Sequence, residues 1–148
     1  MTVVVDASCV VAALVDTGPV GAWAEQVLES RDLAAPHLLP VEVASILRRG
    51  TLTESLTADA AALAHSDLLA LRVALFPYEP LAMRVWELRD NVVPYDAWYV
   101  AVAESIGAPL ASNRRVTDFR LAIDTCGTGR LSRLDPPPEM STSSSSPC

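Results

Sequence analysis

The sequence predicts an α/β protein in which a parallel sheet is covered by helices on both faces. Three observations carry that prediction. Short β-branched and apolar runs, beginning with Thr2-Val3-Val4-Val5, alternate with longer helical patterns. Proline and glycine stand at the junctions between them. The 148 residues, about half of them hydrophobic, suffice for one core of ordinary size.

The elements follow in order. Residues 2–5 predict a buried strand that ends at Asp6. Ser8 to Val15 predicts a short apolar helix with Cys9 in the core. Gly18-Pro19 opens a second helix over residues 20–30, with Trp23, Val27 and Leu28 on one face. Leu33-Ala34-Ala35 predicts a short strand stopped by Pro36. A third helix spans 38–49, with Pro40 in its first turn and Arg48, Arg49 and Gly50 closing it. Residues 57–71 are helical, Arg72 to Phe76 is a strand, and Pro80 to Arg89 is a helix. Pro94 opens a helix that runs to Ile106, where Gly107 stops it. That helix is apolar on nearly every side, which predicts burial. Leu110-Ala111 is a short strand, 114–122 gives one or two helical turns, and Leu131 to Leu134 gives a last edge strand. There is no internal repeat. Residues 1–135 form the domain. The Pro/Ser-rich segment 136–148 cannot bury a core and is expected to be a flexible tail.

Composition excludes several functions. No apolar stretch reaches the roughly 18–20 residues that span a bilayer, and the N-terminus lacks a signal-peptide pattern. A cytoplasmic protein with no membrane partner is expected. The net charge of −7 argues against nucleic-acid binding unless a cation offsets clustered acids. Every basic residue is arginine or histidine, since the chain has no lysine. This excludes a P-loop and a receiver-type phosphoacceptor site. No Gly-x-Ser-x-Gly elbow appears, and Ser8 stands where a haloacid-dehalogenase-type phosphatase needs a second Asp. Cys9, Cys126 and Cys148 lack zinc-ligand spacing and do not suggest a disulfide framework. His37 and His65 read as surface or packing residues.

Three acids then stand out. Asp6 ends the first strand, and ligands of open α/β sheets bind beyond the carboxyl ends of strands. Glu42 lies in the first turn of the third helix, and Asp96 in the first turn of the buried one. Each alone has a simpler reading. Asp6 suits an N-cap, worth on the order of 1 kcal/mol. A first-turn acid favours the helix dipole by roughly 0.3–1 kcal/mol. Together, in apolar surroundings, they would repel one another unless a hard cation pairs with them. Ser8 either orients a carboxylate or caps the helix.

Val3-Val-Val-Asp6-Ala-Ser8, Val41-Glu42-Val-Ala and Pro94-Tyr-Asp96-Ala-Trp-Tyr-Val-Ala-Val-Ala-Glu104 resemble, in order and spacing, the three acidic motifs of PIN-domain nucleases. Among these the VapC toxins of bacterial toxin–antitoxin pairs are the nearest match, over residues 3–134. The resemblance implies a three-layer α/β/α fold with a central parallel sheet. It implies an endoribonuclease dependent on Mg²⁺ or Mn²⁺, with Asp6, Asp96 and Glu42 catalytic and metal-binding. It also implies RNA as substrate, a small VapB-like antitoxin as partner, and a homodimer. The family commonly carries a further Asp after the last core strand. Here Asn113 stands in that region, and Asp118 is the nearest acid that could serve. Arg114, Arg115 and Arg120 could bind phosphates, or belong to a solvated loop. Glu104, two turns beyond Asp96, could reach the site's edge. Two rival readings are a PIN-like module that binds RNA or a partner without cutting, and a housekeeping RNA-processing nuclease with no antitoxin.

Overall fold

The computed structural model describes residues 1–29, 32–113 and 133–134. The chain forms β1 (Thr2–Val5), α1 (Ala7–Val15), α2 (Pro19–Glu29), β2 (Asp32–Pro36), α3 (Leu39–Leu52) and α4 (Ala58–Ala70). It continues as β3 (Val73–Phe76), a 3₁₀ turn (Glu79–Leu81), α5 (Ala82–Glu87), a second 3₁₀ turn (Leu88–Asp90), α6 (Pro94–Ile106), β4 (Leu110–Ala111) and β5 (Arg133–Leu134).

The five strands form one sheet in the order β3-β2-β1-β4-β5, and every pair is parallel. The predicted parallel α/β sheet is therefore observed, with the predicted last strand at its edge. The chain steps outward from β1 to β2 to β3, then returns to β4 on the other side of β1. Parallel crossovers are right-handed, so α1–α4 cover one face and α5–α6 the other. Contacts agree: α1 packs against α2, α3 and α4, and α3 against α4, while α6 runs along β1, β2 and β4 with α5 beside it. The direction of winding reverses at β1. The carboxyl edge of β1 is thus the switch point where open sheets bind ligands, and Asp6 follows it directly.

The strands are buried as expected of a doubly covered sheet. Val3, Val4, Val5, Leu33, Ala34, Ala35, Leu110 and Ala111 are all core residues. In α6, Ala97 and Tyr99 to Ala103 are buried, as its all-round apolarity predicts. Its first turn differs, because Tyr95 stands exposed. Pro94 occupies that first turn, and Gly107 closes the helix in the left-handed conformation (φ 61°). Among the described residues no single helix is long and apolar enough to cross a membrane.

Several predicted boundaries shift by one or more residues. Helix α3 runs through Gly50 to Leu52. Gly50 does not end it; the Gly50 carbonyl accepts bonds from the Ser55 and Leu56 amides in the turn beyond. A Cβ on Gly50 would stand 3.1 Å from the Leu56 Cβ, so the glycine makes room for that turn. Pro36 belongs to β2, paired with Phe76, rather than lying beyond it. Strand β3 starts at Val73, not Arg72. The helix predicted over 80–89 is α-helical only from Ala82 to Glu87 and tightens to 3₁₀ at both ends. The helical turns predicted at 114–122 and the tail 136–148 lie outside the described residues.

Candidate active site

Asp6 is almost fully buried (4% exposed), yet every hydrogen bond it accepts is directed. As the N-cap of α1 it takes the Cys9 amide on Oδ1 at 2.8 Å. The same oxygen accepts the Ser8 hydroxyl at 2.7 Å. Oδ2 accepts the hydroxyl of Ser112, which is completely buried just past β4. The Asn113 amide in turn donates to Ser8 Oγ at 3.0 Å. The backbone amide of Asp6 continues the ladder to the Ala111 carbonyl, 3.1 Å away. Asp6 is thereby held from α1 and from β4 at once. Asp6 caps the helix, as one sequence reading had it, and it does so at the switch point of the sheet. Ser8 is not the cap. It donates to the capping carboxylate and is fixed by β4's continuation, so it orients Asp6.

A carboxylate oxygen has two lone pairs. The two donors on Oδ1 use both of its pairs, whereas Oδ2 accepts one bond among the described residues. Oδ2 is therefore the oxygen of Asp6 with room for a further ligand.

Glu42 and Asp96 come from opposite sides of the sheet. Glu42 lies in the first turn of α3 and Asp96 in the first turn of α6, both half-buried. A bond between the two helices joins them: the Tyr99 hydroxyl donates to Glu42 Oε2 at 2.5 Å. Tyr99 is three residues beyond Asp96, and that spacing puts the two on one face of α6. The face of α6 that carries Asp96 is thus the face that meets Glu42. Among the described residues, however, no three of His, Cys, Asp and Glu form a group that could hold a metal ion by themselves.

The donor chemistry still fits a hard divalent ion. Mg²⁺ is usually held by one or two carboxylates, with water and substrate phosphate completing its shell, so a closed three-ligand cage is not required. The thiol beside the site offers no competing thiolate. Cys9 is pushed up from its ordinary 9.0 to about 12, by burial first and by the Asp6 charge second.

Other predicted residues fall elsewhere. Asn113 is at the site through its backbone, and its side chain belongs to an exposed residue. Arg114, Arg115, Arg120 and Asp118 lie outside the described residues. Glu104 does not serve the site's edge as its spacing suggested. Arg84 grips it with Nε on Oε2 at 2.6 Å and a terminal nitrogen on Oε1 at 3.0 Å, which ties α5 to α6. Tyr99 and Ser112 are the site residues that sequence reasoning missed. Tyr99 carried a signal in its one-turn spacing from Asp96. Ser112 carried one in directly following the strand beside β1.

A parallel α/β sheet with a fixed, buried carboxylate at its switch point has the layout in which open α/β folds bind ligands. Comparison with known proteins makes this specific. The PIN domain family model matches residues 3–116. The VapC ribonuclease Mb0985 of Mycobacterium bovis is 38% identical over 120 residues, which cover 81% of this chain and 88% of that protein. Among solved structures, the Sarcin-Ricin loop cleaving toxin VapC20 of Mycobacterium tuberculosis superposes with a TM-score of 0.60 at 20% identity, covering 81% of this chain and 94% of that one. VapBC2 from Rickettsia felis, bound to a DNA fragment from its promoter, gives 0.62 at 12% identity, covering 91% and 98%. The last two likenesses are of fold. The chain belongs to the PIN domain family, alongside the VapC ribonucleases.

Proposed function

We propose that the protein is a metal-dependent endoribonuclease and the toxin of a toxin–antitoxin pair. The observation that carries this is the Asp6 carboxylate, fixed by Ser8, Cys9 and Ser112 at the sheet's switch point in a chain related to VapC ribonucleases. Asp6 and Asp96 would hold Mg²⁺ or Mn²⁺, with Glu42 as a further ligand or as a partner of the attacking water. When bound, such an ion supplies neutralisation of the scissile phosphate and lowers the pKa of a water.

The protein's own residues do the positioning. Ser8 and the Cys9 amide occupy Oδ1 of Asp6, so its Oδ2 side is the one presented. Tyr99 pins one oxygen of Glu42 and so fixes the angle at which that carboxylate addresses the site. Water attacking phosphorus in line with the 3′-oxygen would form the new P–O bond as the P–O3′ bond breaks, losing a proton to Glu42 or solvent while the leaving 3′-oxygen takes one up from solvent to become a hydroxyl.

The partners proposed are single-stranded RNA, a small VapB-like antitoxin and a second copy of the chain, in the cytoplasm where RNA and antitoxin are made. Fold similarity to a VapBC assembly supports the antitoxin. Exposed Leu63 and Leu69 on α4, with Met83 and Trp86 on α5, support protein contacts. The chemistry is tested by mapping product ends after cleavage with Mg²⁺ or Mn²⁺. Water attack leaves 5′-phosphate and 3′-hydroxyl ends, and EDTA stops it. Cyclic 2′,3′-phosphate ends formed in EDTA would sink the reading.

A further inference from the structure

Helix α3 brings more than Glu42 to this edge. Leu38, Val41, Ile46 and Arg49, with Glu42 among them, line a hollow of about 330 Å³, and Tyr95 forms its other wall. These positions recur every three or four residues and so share one face of α3. Tyr95 immediately precedes Asp96 and is 63% exposed, a large aromatic surface left to solvent beside a carboxylate site. Arg49 has no ion pair among the described residues, whereas Arg84 is held by Glu87 and Glu104, and Arg89 by Asp90. The volume stands at the low end of the roughly 300–1,000 Å³ of small-ligand sites. That suits one nucleoside, not a folded segment. A second hollow shares Val41 and Ser45 with the first and carries Arg48 and His65, so the strip along α3 continues with another cation.

We propose that the hollow between α3 and the first turn of α6 is a subsite for one nucleoside of single-stranded RNA beside the scissile phosphate. Tyr95 stacks the base, Leu38, Val41 and Ile46 form its apolar floor, and Arg49 takes the flanking phosphate. Three kinds of group meet there in the combination that single-stranded RNA requires: a π-face for a splayed base, a cation for the backbone, and carboxylates where the bond is cut. A stacking platform tolerates any base, so the subsite gives grip and register more than sequence choice. It rests on the ribonuclease reading above.

The test measures binding of a short single-stranded RNA to the full chain carrying Asp6→Asn, so that binding is read without cutting. On that background, Tyr95→Ala weakens binding about tenfold while Tyr95→Phe keeps it. Arg49→Ala weakens binding and lowers the slope of log Kd against log salt by about 0.7, the value for one single-strand phosphate. Circular dichroism checks that each variant is folded. The proposal is overturned if the parent binds no RNA, or if Tyr95→Ala and Arg49→Ala bind as the parent does. It is equally overturned if Tyr95→Ala alters only self-association. Cleavage by the chain with Asp6 intact is scored separately. Intact cleavage with unchanged binding rejects the subsite alone, and stacking-dependent binding without cleavage rejects the nuclease reading alone.

Discussion

At the scale of single residues, the account turns on what surrounds Asp6. Three donors fix a buried carboxylate, and one of them, Ser112, lies 106 residues away in sequence. Ser112→Ala removes the donor on Oδ2 and lets the carboxylate turn. Supporting groups of metal ligands typically cost 10–100-fold when lost, so Mn²⁺ affinity measured by calorimetry is expected to fall about 10–100-fold. Unchanged affinity would mean that Asp6 is oriented without Ser112. Cys9 gives a second, independent check. Its thiol is pushed up to about 12 by burial and then by Asp6, so almost none is thiolate at pH 8. Iodoacetamide at pH 8 is expected to leave Cys9 unmodified in the folded chain, as read by mass spectrometry. The native thiol also holds its proton more tightly than the unfolded one. Its contribution to stability is therefore complete below pH 9.0 and declines as pH rises from there towards about 12.

Elements explain what a sequence reader could and could not see. The places of Asp6, Glu42 and Asp96 at the starts of helices were legible because each junction is marked by local signals: a β-branched run, Pro40, and Pro94. Helix α6 was legible from end to end because Pro94 and Gly107 bound it chemically. Tyr99 as the holder of Glu42 was not, since the bond joins two helices across 57 residues and depends on how they pack. Gly50 misled for a related reason: it resembles a stop, yet its role is steric, making room for Leu56. Gly21 is more tightly enclosed. A Cβ there would fall 1.7 Å from the Asp16 carbonyl oxygen, because α2 turns back tightly against the end of α1. Gly21→Ala is expected to destabilise the fold by about 2–3 kcal/mol, since backbone must move to admit the methyl. Chemical denaturation measures this. An unchanged midpoint would show that the α1–α2 corner is not as close as described.

For the whole molecule, the sheet order carries the function. Reversal of winding at β1 opens a crevice at its carboxyl edge, with α1 to α4 on one face and α6 on the other. The alternation of strands and helices made the parallel sheet readable from sequence. The strand order was not readable from periodicity, because it depends on which side of β1 the chain returns to. It follows that Asp6, at that edge, is the residue whose loss should separate function from fold. Asn caps helices about as well as Asp, so Asp6→Asn should keep α1 and the core intact. The direct measurement is cleavage of single-stranded RNA with Mn²⁺ or Mg²⁺ by the unaltered chain and by Asp6→Asn, beside their thermal melts. Cleavage is expected to fall by at least about 100-fold while the melting behaviour barely moves. Equal cleavage by the two proteins would contradict the assignment of this carboxylate to the reaction.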